Sequence, residues 1–479
     1  MDSPAKTPPS APPRAVFTEG STLRHVAVMA GTGSVGLVAV FMVDLLNIFY
    51  IALLGEQELA AAIGYAGTLL FFTTSAAIGV MIAGSALVSR AIGSGDRPGA
   101  RRLATSTFLY MLVATGVLSF AVLPVLEPLL GLLGAQGRTL AIARDFLMVV
   151  LPSTPLLGLA MAASGTLRAV GDARRAMWVT LGGGLVTAVL DPLFILWFGL
   201  GVDGAAIVSV VSRLVMAAYG LYAVIRVHRL AEAPRLPDFI GDLRPLSGIA
   251  VPAVLTNVAT PVANAYITFA LAAYSDSAVA AWAVIGRLIP VAFGPLFALT
   301  GAIGPIIGQN LGARRIERVR GTIVDSVRLT FGYVGLMWLL LALARHAIAQ
   351  SFGLSAEGAA LVDFFCLFAA GGFIFIGALF VANAAFNNLG APLLSTVFNW
   401  GRATLGTVPF VWAGGRLFGA EGVLAGQALG SVAFGVLALV FAFRLVGRLN
   451  ADTPPPPAPP GNAERPPFAR PEDAAAIAP

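Results

Sequence analysis

The chain has 479 residues, of which 57% are hydrophobic and 11% charged, and its net charge is +6 at pH 7. A soluble domain carries about 25% charged residues, so a single water-soluble core is excluded. The positive balance is no sign of nucleic-acid binding, because the arginines are parcelled into short segments between apolar runs, where they read as a topology signal.

In chain order, residues 1–22 form a polar, Pro-rich head without a signal-peptide pattern, expected to be disordered. Apolar runs of about 20 residues then recur, each long enough to cross a bilayer core of about 30 Å. They predict helices over 23–53, 57–88, 103–130, 141–167, 175–199 and 203–227, then a linker at 228–245. Further helices are predicted over 246–274, 278–309, 321–344, 357–386, 393–415 and 421–446, with a Pro-rich disordered tail at 447–479. The runs are continuous rather than alternating, which excludes an outer-membrane barrel. The expected fold is an all-α membrane protein of about twelve spans in two lobes, 23–227 and 246–446.

Alternate loops hold most of the arginines: Arg90, Arg97, Arg101 and Arg102, then Arg168, Arg174 and Arg175, then Arg226 to Arg244, then Arg314 to Arg320. The opposite loops hold only Arg138, Arg144, Arg345 and Arg416. The positive-inside rule places the first set and both termini in the cytoplasm of a prokaryotic inner membrane. A repeat is visible as well. ALVSRAIGSGDR and PIIGQNLGARR place Gly93 and Gly312 219 positions apart, and SGTLRAVGDARR and AAFNNLGAPLLS do the same for Gly171 and Gly390. One offset at two distant places predicts two homologous six-helix halves in parallel orientation, a pattern of transporters.

Several chemistries are excluded. Lys6 is the only lysine, so a phosphate-binding Walker loop, Schiff-base chemistry and a Ser-x-x-Lys nucleophile are absent. Gly31, Gly33 and Gly36 spell GxGxxG inside a predicted helix, where helix packing or bending is the better reading than a dinucleotide turn. His25, His228 and His346 have no ligand spacing, and the lone Cys366 reads as a small buried side chain. No cofactor, no resident metal and no enzyme activity are expected.

Acids inside the bilayer are the informative residues, because a charge at a helix centre costs about 2.5–3.5 kcal/mol on insertion scales. Asp44 in helix 1 and Asp191 in helix 5 are expected at similar depth, in the outer half of the first lobe. Burial disfavours a charged carboxylate, which makes each a candidate carrier of H+. The same oxygens, with those of Thr187 and Ser209, could hold Na+ instead. Asn47 is expected to support the site from the turn next to Asp44, and Thr187 sits one turn before Asp191 on the same face. Arg213 is a possible charge partner of Asp191, and Arg213, Arg287 and Arg402 are all expected to make structural pairings.

FMVDLLNIFYIALLG, SALVSRAIGSGD, SGTLRAVGDARRAM, AVLDPLFILWFGLGVDGAA, GPIIGQNLGARR and NNLGAPLLSTVFNWGR, in that order, resemble the successive signatures of the MATE family (multidrug and toxic compound extrusion), in its DinF-like prokaryotic branch. The resemblance implies two six-helix lobes in a V and antiport of organic, often cationic, small molecules against H+ or Na+. Asp44 then matches the helix-1 acid, Asp191 the helix-5 acid, and Ser209 a position that is often Thr. Thr187 and Ser164 stand where relatives often have Asn, and the helix-1 proline of many relatives is absent, with Met29 near its place. Loose alignment sets Asn264 opposite Asp44, so coupling is expected in the first lobe. The expected partners are a small-molecule substrate and membrane lipid, without nucleic acid, and the chain is expected to be a monomer. A flippase of lipid-linked oligosaccharides is the alternative reading. A membrane-embedded enzyme and a channel are remoter ones.

Overall fold

The computed structural model describes residues 15–52 and 57–452, with the backbone alone at 43–49 and at a few helix-end positions. Among the described residues the chain is helical throughout, with no strand. The first lobe holds α1 (Thr22–Ala52), α2 (Gln57–Gly93), α3 (Arg97–Leu132), α4 (Gly137–Ala169), α5 (Ala173–Trp197) and α6 (Gly201–Val227). The second holds α7 (Leu236–Ala272), α8 (Asp276–Gly312), α9 (Ile316–Ser351), α10 (356–388), α11 (392–417) and α12 (420–452). The last apolar run, Pro392–Leu449, is 58 residues long. At 1.5 Å per residue that is about 87 Å, far more than one crossing needs. It breaks at Phe418 and Gly419, where Gly419 takes φ 63° and only a residue without Cβ does so freely. The chain therefore makes twelve passes among the described residues.

Lipid cannot hydrogen-bond a bare backbone, so each pass closes its own ladder. Prolines mark the local breaks. Pro124 and Pro152 sit in short 3-10 turns inside α3 and α4, and Pro192 opens a π-helical turn at the outer end of α5. Small residues let helices meet backbone to backbone. In the α11–α12 hairpin, Gly430 lies over the Gly406 carbonyl, Gly426 over that of Phe410, and Gly414 and Gly422 over each other.

Three boundaries differ from the sequence expectation. The helix expected from residue 246 starts at Leu236, inside the expected linker. Pro237 is tolerated in a first helical turn, and Pro245 is carried inside the helix. Asp242, 4% exposed, ties this early turn to α3 by accepting from Ser106 Oγ at 2.7 Å and pairing with Arg102 at 3.3 Å. α12 runs on to Asp452. Residues 15–20, expected within a disordered head, are packed instead: Phe17 is 2% exposed, and Val16–Thr18 form a 3-10 turn.

The lobes obey the 219 offset in space. Gly33 of α1 packs on Ala298 of α8, where an added Cβ would sit 3.4 Å from the alanine. Adding or subtracting 219 gives positions 252 and 79, and Gly79 of α2 packs on α7 between Ala250 and Val254. The lobes meet near the arginine-rich ends of these helices. Towards the opposite face α8 exposes Val291 and α2 exposes Phe71 and Phe72. A cleft thus closes on the arginine-rich side and opens on the other.

Candidate functional site

Asp191 is 1% exposed, on the last α-helical turn of α5 before Pro192 and the π-helical turn. π turns inside α-helices frequently accompany functional sites. Asp44 and Asn47 fall on the described backbone of α1, but their side chains lie outside the described residues. Helix register still relates the two segments. Gly36 packs on Thr180 of α5, and both helices run toward the open face, so 11 residues further on positions 47 and 191 come level.

The supporting hydroxyls are satisfied locally. Thr187 Oγ1 donates to the Gly183 carbonyl at 3.1 Å and Ser209 Oγ to that of Ala205 at 2.9 Å, each one turn back on its own helix. Ser164 is buried and donates across to Ala176 on α5. Ser212, which sequence reasoning passed over, reaches from α6 to the Gly183 carbonyl at 2.9 Å.

Arg213 makes structural hydrogen bonds to α4. At the 3-10 turn Leu151–Ser153 the Val150 carbonyl accepts from Ser153 Oγ at 2.7 Å. Arg213 Nη1 reaches the same carbonyl at 2.8 Å and also donates to Ser153 Oγ at 2.9 Å. The ion pairs among the described residues include none between Arg213 and Asp191. Arg402, 6% exposed, likewise donates to Thr260 Oγ1 at 3.1 Å.

At the arginine-rich end the lobes form a seal with the symmetry of the repeat. Gly93 lies over the Gln309 backbone, and Gly312 lies over that of Arg90. Gln309 Nε2 donates to the Ala169 carbonyl at 2.7 Å, and its repeat mate Arg90 donates to the carbonyl of Asn388, the mate of Ala169. The packed head reinforces the seal. Phe17 N–H donates to Gln309 Oε1 at 3.0 Å, its carbonyl accepts from Arg318 Nη2 at 2.9 Å, and its ring packs on Gly171 of the other lobe. Nearby, Asp172 caps α5 and accepts from Arg175 and His228. Burial opposes ionisation of Asp172, but these hydrogen bonds outweigh it and hold the carboxyl below its ordinary range.

Above the seal lies a small cavity on the pseudo-twofold axis. Ile82 and Gly301, Ser85 and Gly304, and Gly165 and Ala384 line it as repeat mates. The pair Arg168 and Asn387 sets a charge against an amide, and among the described residues Arg168 is the only charged one lining the cavity. The Cα–Cβ bond of a helical residue tilts toward the helix N-terminus, which for α4 is the open face. The Arg168 guanidinium accordingly lies over Gly301, where an added Cβ would be 2.8 Å from Nη1. Sequence reasoning counted Arg168 as a loop charge, and the 219 offset linking it to Asn387 was the signal that could have singled it out.

A family model described as MatE matches residues 34–193 and 252–412. An FAD transporter of Shewanella oneidensis is 30% identical over 427 residues, covering 88% of this chain and 94% of that protein. The multidrug export protein MepA of Staphylococcus haemolyticus is 24% identical over 446 residues, covering 91% of this chain and 96% of that protein. A crystal structure of the Vibrio cholerae MATE transporter VcmN superposes with a TM-score of 0.85 at 24% identity, covering 89% of this chain and 97% of that one.

Proposed function

The chain belongs to the MATE family of membrane transporters, and on that premise we propose that it exports an organic small molecule from the cytoplasm in exchange for protons. It is a multi-pass membrane protein and a transporter rather than an enzyme. The arginine bias supports placing the sealed face and both termini in the cytoplasm of a prokaryotic inner membrane. The cleft then faces outward.

The observation that carries the coupling is the buried Asp191 beside a π-helical turn, level with position 47 of the helix that bears Asp44. An ionised carboxylate in a dry interior is costly, and a proton removes that cost. In this reading Asp44 and Asp191 take protons from the outside, the contacts of α1 rearrange, the seal opens inward, and the protons leave to the cytoplasm. Coupling by H+ needs no ligand cage, whereas Na+ would call on oxygens of Asp44, Asp191, Thr187 and Ser209 together. MepA is named for multidrug export, which favours the outward direction.

The test is pH-gradient-driven uptake of FAD and of ethidium, as two separate probes, into inside-out vesicles. Wild type accumulates at least one of them. Asp44→Asn abolishes the gradient-driven part, and Asp191→Asn reduces it by tenfold or more. Undiminished uptake by Asp44→Asn would end the assignment.

A further inference from the structure

Two arginines directed between the lobes have no ion pair among the described residues. Arg168 lies one residue from the sealed end of α4. A charge there could reach the cytoplasmic interface, as long basic side chains near helix ends do. It turns the other way, into the axis cavity above the seal. Arg168 takes part in no ion pair among the described residues, and it makes no hydrogen bond there. The cavity beside it has a volume of ≈ 20 Å³, room for about one water. No ligand fits until the seal parts, and Arg168 then fronts the cytoplasmic opening.

Arg287 is the second. It lies on α8, 11 residues from Asp276, or about 16 Å into the membrane. It is exposed, and it too has no ion pair or hydrogen bond among the described residues. It shares a helical face with Gly294, seven residues on, and Gly294 meets Val38 and Phe41 of α1 across the lobe boundary. Arg287 thus shares the face that turns toward α1 and the other lobe, not lipid, where a mid-membrane charge would be costly.

We propose that the exported molecule is an organic anion, whose phosphate or carboxylate is held by Arg168 at the cytoplasmic opening and by Arg287 in the outward-open cleft. The proposal rests on the export reading above and replaces the cationic substrate that the family resemblance implied. The acids assigned to protons lie in the outer half of the first lobe, away from Arg168 and at about the depth of Arg287 on the other lobe. An anion leaving and protons entering both carry positive charge inward, so an inside-negative potential drives both movements.

The test is binding to purified full-length protein in phosphatidylcholine nanodiscs, without a gradient. Two matched pairs separate a soluble from a lipid source of the phosphate: FAD against riboflavin, and farnesyl pyrophosphate against farnesol. The expected result is that the charged member of at least one pair binds about tenfold tighter, the worth of one charge-assisted contact. Arg168→Gln removes that preference, Arg168→Lys keeps part of it, and Arg287→Gln, at an exposed position that folding tolerates, lowers it severalfold. Equal binding within both pairs would overturn the proposal, as would a preference intact in both glutamine variants, or ethidium binding more tightly than either anion. Because binding is read without a gradient, an anion preference that stands while pH-driven movement fails sinks the export reading and leaves anion binding at the two arginines.

Discussion

Replacing Gly93 by alanine probes the seal most sharply. An added Cβ would meet the Gln309 backbone, 2.7 Å from its Cα, where ordinary contact begins at 3.4 Å. The carbonyl oxygen of Gln309 is nearer still. Backbone on a packed helix cannot swing aside as a side-chain tip can, so α2 and α8 must separate by the better part of an ångström. Overpacking of this kind costs about 1–3 kcal/mol, a shift of about 5- to 150-fold between sealed and unsealed states. The penalty falls on the sealed state alone, so the population moves toward the inward-open form. Spin labels at Pro98→Cys and Glu317→Cys, both exposed and one repeat apart, report it by double electron–electron resonance in a Cys366→Ser background. Gly93→Ala should add a longer distance population. Gly182→Ala, with nothing within 4 Å of its Cβ, should not. A distance distribution unchanged by Gly93→Ala would refute the reasoning that this contact holds the lobes together.

Other consequences follow from the same contacts. Phe17→Ala removes a fully packed ring from the seal and should lower thermal stability by about 3–5 kcal/mol, read from the unfolding midpoint in detergent, with the same longer distances appearing. Gly430→Ala should destabilise by about 1–3 kcal/mol through the backbone contact with Gly406, and wild-type stability in that variant would dismiss the hairpin packing. Because Asp172 has a depressed pKa in the folded protein, its contribution is present above the ordinary aspartate range of about 3.9 and is lost as pH falls below it. Asp172→Asn should therefore be less stable than wild type at neutral pH, and the gap should narrow in acid.

Much of the architecture was legible because lipid imposes it. A run of about 20 apolar residues has few options in a bilayer, and the 219 offset between Gly93 and Gly312 marks two like halves. What escaped the sequence did so for physical reasons. Pro245 looked like a helix boundary, but the buried Asp242 holds the preceding turn to α3. Phe17 stood alone in a polar, Pro-rich head, with no periodicity to mark it as buried. Arg168, beside Arg174 and Arg175, resembled one more cytoplasmic charge, and only the tilt of its side chain distinguishes it. Arg213 is a possible partner for an acid by depth alone, and only the structure shows it donating to the Val150 carbonyl and the Ser153 hydroxyl of α4.

The central claim is that buried carboxylates of the first lobe gain and lose protons in each cycle. Charge movement in proteoliposomes on a solid-supported membrane, after a pH jump in Na+-free buffer, reads this directly. A transient current in wild type that vanishes in the Asp44→Asn, Asp191→Asn double variant is the predicted result. A current retained by the double variant, or one evoked by Na+ and not by pH, would contradict it.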